Sequence, residues 1–200
     1  EVLIQSITYV ASIQAITATG AKPIFCDIRK DTLTIDIQDA KKKITSKTKA
    51  IMPVHYAGGV GDLDEVYNFA IQNNLIIIED AAHDFGTTYK GTKVGSFGHT
   101  TCFSFDGIKN ITSGEGGCVV SNDKNVIKKI QDARLLGVEN DTQARYSNKR
   151  SWEFDVKNQG WRYHMSNIMA SIGIVQMSRF EEFIEIKKEL AKHYFDKLKN

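Results

Sequence analysis

The chain is poor in the residues that mark unusual environments. Its 200 residues hold 2 prolines and 3 cysteines, and 26 basic side chains face 24 acidic ones for a net charge of +2. So few prolines, with 15 glycines and no internal repeat, exclude collagen-like and low-complexity material. A near-zero net charge creates no field that recruits nucleic acid or an anionic membrane, and the run Lys41-Lys42-Lys43 reads as a solvated helix face. No uninterrupted apolar run approaches the ~20 residues that a membrane helix needs. No charged leader with an apolar stretch and cleavage site is visible either, so a cytoplasmic protein is expected. Cys26, Cys102 and Cys118 lack CxxC spacing and sit in apolar stretches, which favours buried reduced thiols over a disulfide or metal site. HExxH and GxGxxG are missing. Gly86 and Gly91 stand at phosphate-loop spacing, but Thr92-Lys93 follows where lysine and then serine or threonine is required.

What is there alternates. Val2–Ile4 reads as a strand, Val10–Thr19 as a helix stopped at Gly20, and Lys22–Cys26 as a strand. Asp36 caps a helix through Lys43, Ala50–Val54 is an apolar strand, and Asp62 caps a helix with Leu63, Val66, Phe69 and Ala70 on one face. The continuous run Leu75–Ile78 suits a strand buried on both faces of a parallel sheet. Strand and helix thus repeat as βαβ units, which gather functional groups beyond the carboxyl ends of their strands. From Tyr89 to Ser121 glycines crowd around strands at Thr100–Phe105 and Cys118–Ser121, in the manner of a pocket wall. A helix at Asn125–Leu136 precedes a polar, exposed excursion over Glu139–Gln159. Ser166 then opens a long helical segment with Ile168, Ile172, Val175, Arg179 and Phe183 on one stripe. Glu1 is no initiator methionine, and His193 to Asn200 reads as a helix without a capping glycine, so a piece of a longer chain is expected.

Two segments carry chemistry. Ile76-Ile77-Ile78-Glu79-Asp80-Ala81-Ala82-His83 puts Asp80 where a buried strand runs out. Phe103-Ser104-Phe105-Asp106-Gly107-Ile108-Lys109-Asn110 puts a lone lysine among apolar residues and glycine, where a neutral amine and Schiff-base chemistry are favoured. Each alone has an ordinary reading: a strand-end carboxylate with a structural partner, and a solvated turn lysine. Pyridoxal phosphate accounts for both, since it needs a lysine for its aldehyde and an acid for its ring nitrogen.

The motifs Glu79-Asp80-Ala81-Ala82-His83, Tyr89-Lys90-Gly91, Val94-Gly95, Phe103-Ser104-Phe105, Lys109-Asn110-Ile111-Thr112 and Gly114-Glu115-Gly116-Gly117 together resemble the DegT/DnrJ/EryC1/StrS sugar aminotransferases. The resemblance runs from Ser6-Ile7-Thr8-Tyr9-Val10-Ala11 through Pro53-Val54-His55-Tyr56-Ala57-Gly58 to Met165-Ser166-Asn167-Ile168. It implies an α/β fold, the fold-type I large domain of pyridoxal phosphate enzymes, with a mostly parallel sheet flanked by helices. Residues 1–165 would be the central part of that domain, and 166–200 a long helix leading toward a C-terminal small domain.

By position, the resemblance makes Lys109 the cofactor-bearing catalytic lysine and Asp80 the partner of the ring nitrogen. It puts His83 against the ring and its phenolic oxygen, Ser104 on the phosphate, and Tyr9 over the ring face. No metal is implied. The family's dehydrases carry histidine in place of the lysine, so Lys109 implies a transaminase. The stretch Ile111-Thr112-Ser113-Gly114-Glu115-Gly116-Gly117 is more similar to enzymes that aminate C4 of a nucleotide-linked 4-keto-6-deoxy sugar, or a related 4-keto sugar, than to the C3 enzymes. Glutamate would be the donor, a homodimer with shared active sites the assembly, and surface-polysaccharide or lipopolysaccharide biosynthesis the setting.

Two departures stand out. Gly160-Trp161-Arg162-Tyr163-His164 replaces a common Gly-aromatic-Asn-aromatic-Arg, leaving Arg162 and His164 as candidate substrate or neighbouring-subunit contacts. The family's N-terminal phosphate loop has no counterpart here. C3 amination, or a catalytically silent α/β module that holds no cofactor, remain the alternatives.

Overall fold

The computed structural model describes residues 1–139, 147 and 154–199. Eight strands form among them: β1 (Val2–Gln5), β2 (Pro23–Cys26), β3 (Ala50–Met52), β4 (Ile76–Asp80), β5 (Thr88–Tyr89), β6 (Thr92–Lys93), β7 (Thr100–Ser104) and β8 (Gly117–Val120). Six of these make one sheet in the order β2-β1-β3-β4-β7-β8, with β1–β2, β1–β3, β3–β4 and β4–β7 parallel. β5 and β6 form a separate antiparallel hairpin, whose tip residues Lys90 and Gly91 both take positive φ, 49° and 80°. Strand order reverses at β1, between β2 and β3, which opens the crevice of an α/β sheet on its carboxyl edge.

The helices follow their caps. α1 (Val10–Thr17) follows β1, α2 (Ile37–Lys43) starts where Asp36 Oδ1 accepts from Gln38 N at 2.8 Å, and α3 (Leu63–Gln72) starts where Asp62 Oδ1 accepts from Glu65 N at 3.0 Å. α4 (Lys124–Ala133) is capped by Asp123 in the same way.

Two apolar layers hold the sheet. Leu3, Cys26, Ile51 and Ile77 pack with Ile37, Ala40, Val66, Phe69 and Ala70 on the α2 and α3 face. Ile4, Met52 and Val54 pack with Ile16 of α1 on the other. The second cover is a single 8-residue helix. This corrects the expectation that Leu75–Ile78 is buried on both faces: Ile77 is 5% exposed, but Ile76, at the amino end of β4 on the thinly covered face, is 63% exposed. The three cysteines form no disulfide. Burial first, with Asp39 and Asp80 adding to it respectively, raises the Cys26 and Cys102 thiols to about 11, so both stay protonated and unreactive near neutrality.

The chain falls into two units, Glu1–Ser104 with Cys118–His164, and Phe105–Gly117 with Met165–Asn200. The Lys109 turn therefore clusters with the C-terminal helices. In that second unit the expected long helix is two: α5 (Asn167–Ser178), capped by Ser166 Oγ, and α6 (Phe180–Lys197). They break at Arg179, whose φ of −102° and ψ of 0° are not helical. Ser178 Oγ bonds back to Val175 O at 2.7 Å, drawing that carbonyl toward a side chain just before the break, and the Arg179 guanidinium settles over the Phe183 ring. The expected apolar stripe is open, with Ile168 73% and Val175 58% exposed. The polar stretch Glu139–Gln159 lies for the greater part outside the described residues. Among them, no helix is long and apolar enough to cross a membrane.

Truncating the centre of the sheet is costly and truncating its open face is not. Ile51→Ala, at a fully buried position, is expected to lower stability by about 2–5 kcal/mol, and Ile76→Ala by less than about 1 kcal/mol; urea unfolding of the two variants measures the contrast.

Candidate active site

Asp80 ends β4 on the carboxyl edge, where β3 has already stopped, and its backbone is fixed on both sides. Its N–H donates to Pro53 O and its carbonyl accepts from His55 N, both at 3.0 Å. Strand alternation turns the side chain to the α1 face. There Oδ2 accepts from Ser12 Oγ at 2.5 Å and Oδ1 accepts from Ala82 N at 3.1 Å. Ser12 is itself buried and shares a 2.8 Å hydrogen bond with Thr8 Oγ1. Two donors thus hold one half-buried carboxylate in a fixed orientation. Ser12 escaped the sequence reading; the only trace there is the four-residue spacing of Thr8 and Ser12 around a helix start.

Glu79, one residue earlier, faces the opposite way and is fully buried. Its Oε2 lies 3.3 Å from His55 Nε2 as an ion pair, and its Oε1 accepts from Tyr67 at 3.1 Å and more loosely from Thr101 at 3.4 Å. The other ring nitrogen, His55 Nδ1, makes a 2.6 Å hydrogen bond to Asp84 Oδ2. Histidine and both acids are at most 1% exposed. Burial alone would lower the His55 pKa, but the Asp84 hydrogen bond and then Glu79 outweigh it and raise it to about 9. His55 is thus an imidazolium at neutral pH. Burial, followed by the charge of Glu79, raises the Tyr67 phenol. The sequence reading passed over this trio, because His55 stood there only inside a motif.

His83 is half-buried in the loop after β4, with Nδ1 accepting from Ala57 N at 3.2 Å and the Tyr56 ring edge-on to it at 6.4 Å. Ser104 is the last residue of β7, half-buried. Tyr9 precedes α1 with its ring 73% exposed, so it is not a core aromatic. Gly160 lets the following segment press against Leu136 and Gly137, where a Cβ would collide with backbone; beyond it Trp161 and Tyr163 stack, Arg162 is exposed, and His164 is half-buried. A cleft of about 350 Å³ lined by Lys41, Asp62, Asp64, Glu65 and Lys90 contains none of the candidate residues.

In the second unit, Lys109 lies on a turn whose base is closed by Phe105 N to Gly116 O at 2.8 Å and Ser113 N to Phe105 O at 2.9 Å. Lys109 N donates to Asp106 O at 3.0 Å, Ile108 N to Asp106 Oδ1 at 3.1 Å, and Lys187 Nζ reaches Asn110 Oδ1 at 3.0 Å. Gly116 has φ 146°, and a Cβ there would meet Ser113 Oγ at 2.9 Å and Met165. The lysine itself is half-buried.

The whole chain, residues 1–200, matches the model of the DegT/DnrJ/EryC1/StrS aminotransferase family. It is 42% identical over 194 residues to GDP-perosamine synthase of Escherichia coli O157:H7, covering 97% of this chain and 50% of that protein. It is 38% identical over 198 residues to UDP-4-amino-4-deoxy-L-arabinose--oxoglutarate aminotransferase of Shewanella sediminis, covering 99% and 51%. Among solved structures it resembles Spr1654 of Streptococcus pneumoniae in its PMP-form, with a TM-score of 0.88, 33% identity, and coverage of 98% of this chain and 54% of that one. The chain spans about half the length of the curated relatives it matches.

The buried trio makes stability depend on pH with a definite sign. A folded pKa of about 9 against an ordinary 6.5 means that the contribution of His55 is complete below about 6.5 and is lost as pH rises through about 9. Melting temperature is expected to fall between pH 7 and 10, and the fall to flatten in His55→Gln; scanning calorimetry across that range checks it.

Proposed function

Because the chain belongs to the DegT/DnrJ/EryC1/StrS aminotransferase family, we propose that it forms the cofactor-holding part of an enzyme that transfers an amino group from glutamate to C4 of a nucleotide-linked 4-keto sugar. The observation that carries the reading is Asp80, an acidic side chain held by Ser12 and Ala82 at the carboxyl edge of a parallel sheet. Support for C4 comes from the relatives: perosamine synthases are 4-aminotransferases, and the Shewanella protein's name places the amino group at position 4. That name also pairs the sugar with oxoglutarate, the keto acid that glutamate becomes on giving up its amine.

The donor set fits pyridoxal phosphate: a carboxylate with its own donors, an imidazole, a hydroxyl at a strand end, and a primary amine on a closed turn. When bound, the group supplies the electron sink for breaking the Cα–H bond of the amino donor. Asp80 would hold a proton on the ring nitrogen of the bound group. Ser104 would donate to the phosphate, His83 would meet the phenolic oxygen, and Tyr9, whose side chain is exposed, would cover the ring. Lys109 Nζ would hold the group and, once released from it, would take the proton from glutamate Cα and deliver a proton at sugar C4. Arg162 and His164 contact substrate or a neighbouring subunit in a homodimer with shared sites. Residues 1–165 form the central part of the large domain, and 166–200 lead toward a small domain. The product feeds surface-polysaccharide or lipopolysaccharide synthesis in the cytoplasm.

Lys109→Ala is expected to reduce turnover of the complete protein by at least ~10³-fold and to abolish the pyridoxyl adduct that borohydride fixes on this residue, read by peptide mass spectrometry. Normal turnover in that variant would sink the assignment. Offered 4-keto and 3-keto nucleotide sugars with glutamate, the enzyme is expected to yield a 4-amino product by NMR. A 3-amino product overturns the regiochemistry, and a folded protein that takes up no pyridoxal phosphate and makes neither product is the silent module.

A further inference from the structure

α1 buries two residues, Ser12 and Ile16, one helical turn apart on the same face. Ile16 joins the apolar layer of Ile4, Met52 and Val54. Ser12 instead brings a hydroxyl to a position only 5% exposed, where a hydroxyl without a partner is costly. A serine inside a helix commonly turns that hydroxyl back to the carbonyl four residues earlier. Here it reaches out of the helix and donates to Asp80 Oδ2 at 2.5 Å, across 68 residues of chain. The donation uses the hydroxyl's only proton, so in the 2.8 Å contact with Thr8 Oγ1 Ser12 accepts and Thr8 donates. The other acceptor within reach of Thr8, Tyr9 O, is farther away at 3.3 Å. The hydroxyls therefore run in one direction, from Thr8 to Ser12 to Asp80.

The backbone of Asp80 is fixed by Pro53 and His55, but a carboxyl group turns easily about its last bond, a torsion with broad wells. Ala82 N, two residues on, pins Oδ1 at 3.1 Å. Ser12 pins Oδ2 from a different element, and the two together set the plane of the group. A further donor must approach near that plane, because the lone pairs of a carboxyl oxygen lie in it. We propose that Ser12 is a positioning residue: its hydroxyl, directed by Thr8, sets the plane in which Asp80 meets a ring nitrogen. The inference rests on the reading of Asp80 as the partner of that nitrogen for its purpose, and on the α1 contacts alone for its geometry. Packing asks only for a small side chain at residue 12; orienting Asp80 asks for a donor.

The Ala82 amide reports the plane without any cofactor, in ¹⁵N-alanine spectra of the complete protein assigned with Ala82→Gly. In Ser12→Ala the carboxyl group is released on one side, and the Ala82 amide proton is expected to move upfield as its bond to Oδ1 weakens. Ser12→Thr keeps the hydroxyl and is expected to return the signal toward its wild-type place. Thr8→Val keeps the shape of a side chain that does not touch Asp80, and is expected to move the same signal in the same direction by less. With pyridoxal phosphate and glutamate, Ser12→Ala is expected to lose roughly 10- to 100-fold in kcat with KM for glutamate unchanged, and Ser12→Thr to recover most of it. An unmoved Ala82 signal in folded Ser12→Ala or in Thr8→Val overturns the proposal. So does a Ser12→Thr protein that behaves like Ser12→Ala, or a loss that falls on KM and leaves kcat intact. A protein that shows the expected Ala82 shifts but takes up no pyridoxal phosphate sinks the proposed function and supports the orientation of Asp80 by Ser12.

Discussion

Three ionisable groups out of reach of water set the terms for the carboxyl edge. A buried carboxylate or imidazolium left without a partner costs several kcal/mol in real proteins, so Glu79, His55 and Asp84 tolerate no rearrangement that separates them. One cation faces two anions, and the surplus negative charge is met by the hydroxyls of Tyr67 and Thr101. The trio draws on β3's exit, β4, the loop beyond it, α3 and β7. Elements far apart in sequence are thereby held at one place, directly behind the backbone of Asp80.

Asp80 itself is handled differently. It stays half-buried and takes its hydrogen bonds from one hydroxyl and one amide. Rigidity comes from the fully buried neighbour, and the half-buried one is the side chain proposed for the site. Ser12 links the arrangement to α1, and Gln5 does the same for the strand ends: fully buried, it donates to Ile7 O and Leu33 O and accepts from Val54 N. Buried polar side chains bonded to backbone on both sides help an open edge of a sheet keep a fixed shape.

Much of this was legible in the residues. The aspartate caps of α2 and α3, the alternation of strand and helix, and the placing of Asp80 at a strand's end all follow from local rules. The parts that escaped share a physical cause. His55 meets Asp84 across 29 residues and Ser12 meets Asp80 across 68, and no periodicity encodes a contact made by tertiary folding. Ile76 reads like Ile77 in the chain, because exposure depends on how much helix covers each face. The break at Arg179 is a change of backbone angles at a single residue, a local event that an apolar stripe does not report.

The neighbouring acids Glu79 and Asp80 point to opposite faces of β4. Slide β4 by one residue against β3 and β7 in one direction, and Asp80, a methylene shorter, would enter the ionic pocket while Ala81 took its place on the open face; in the other direction Ile78 would enter the pocket and Glu79 the open face. Either slip strands His55 with a misfitted partner. The acidic pair is therefore a reading-frame check for the sheet: only the observed pairing sets Glu79 against His55 in the interior, and that same pairing delivers Asp80 to the edge.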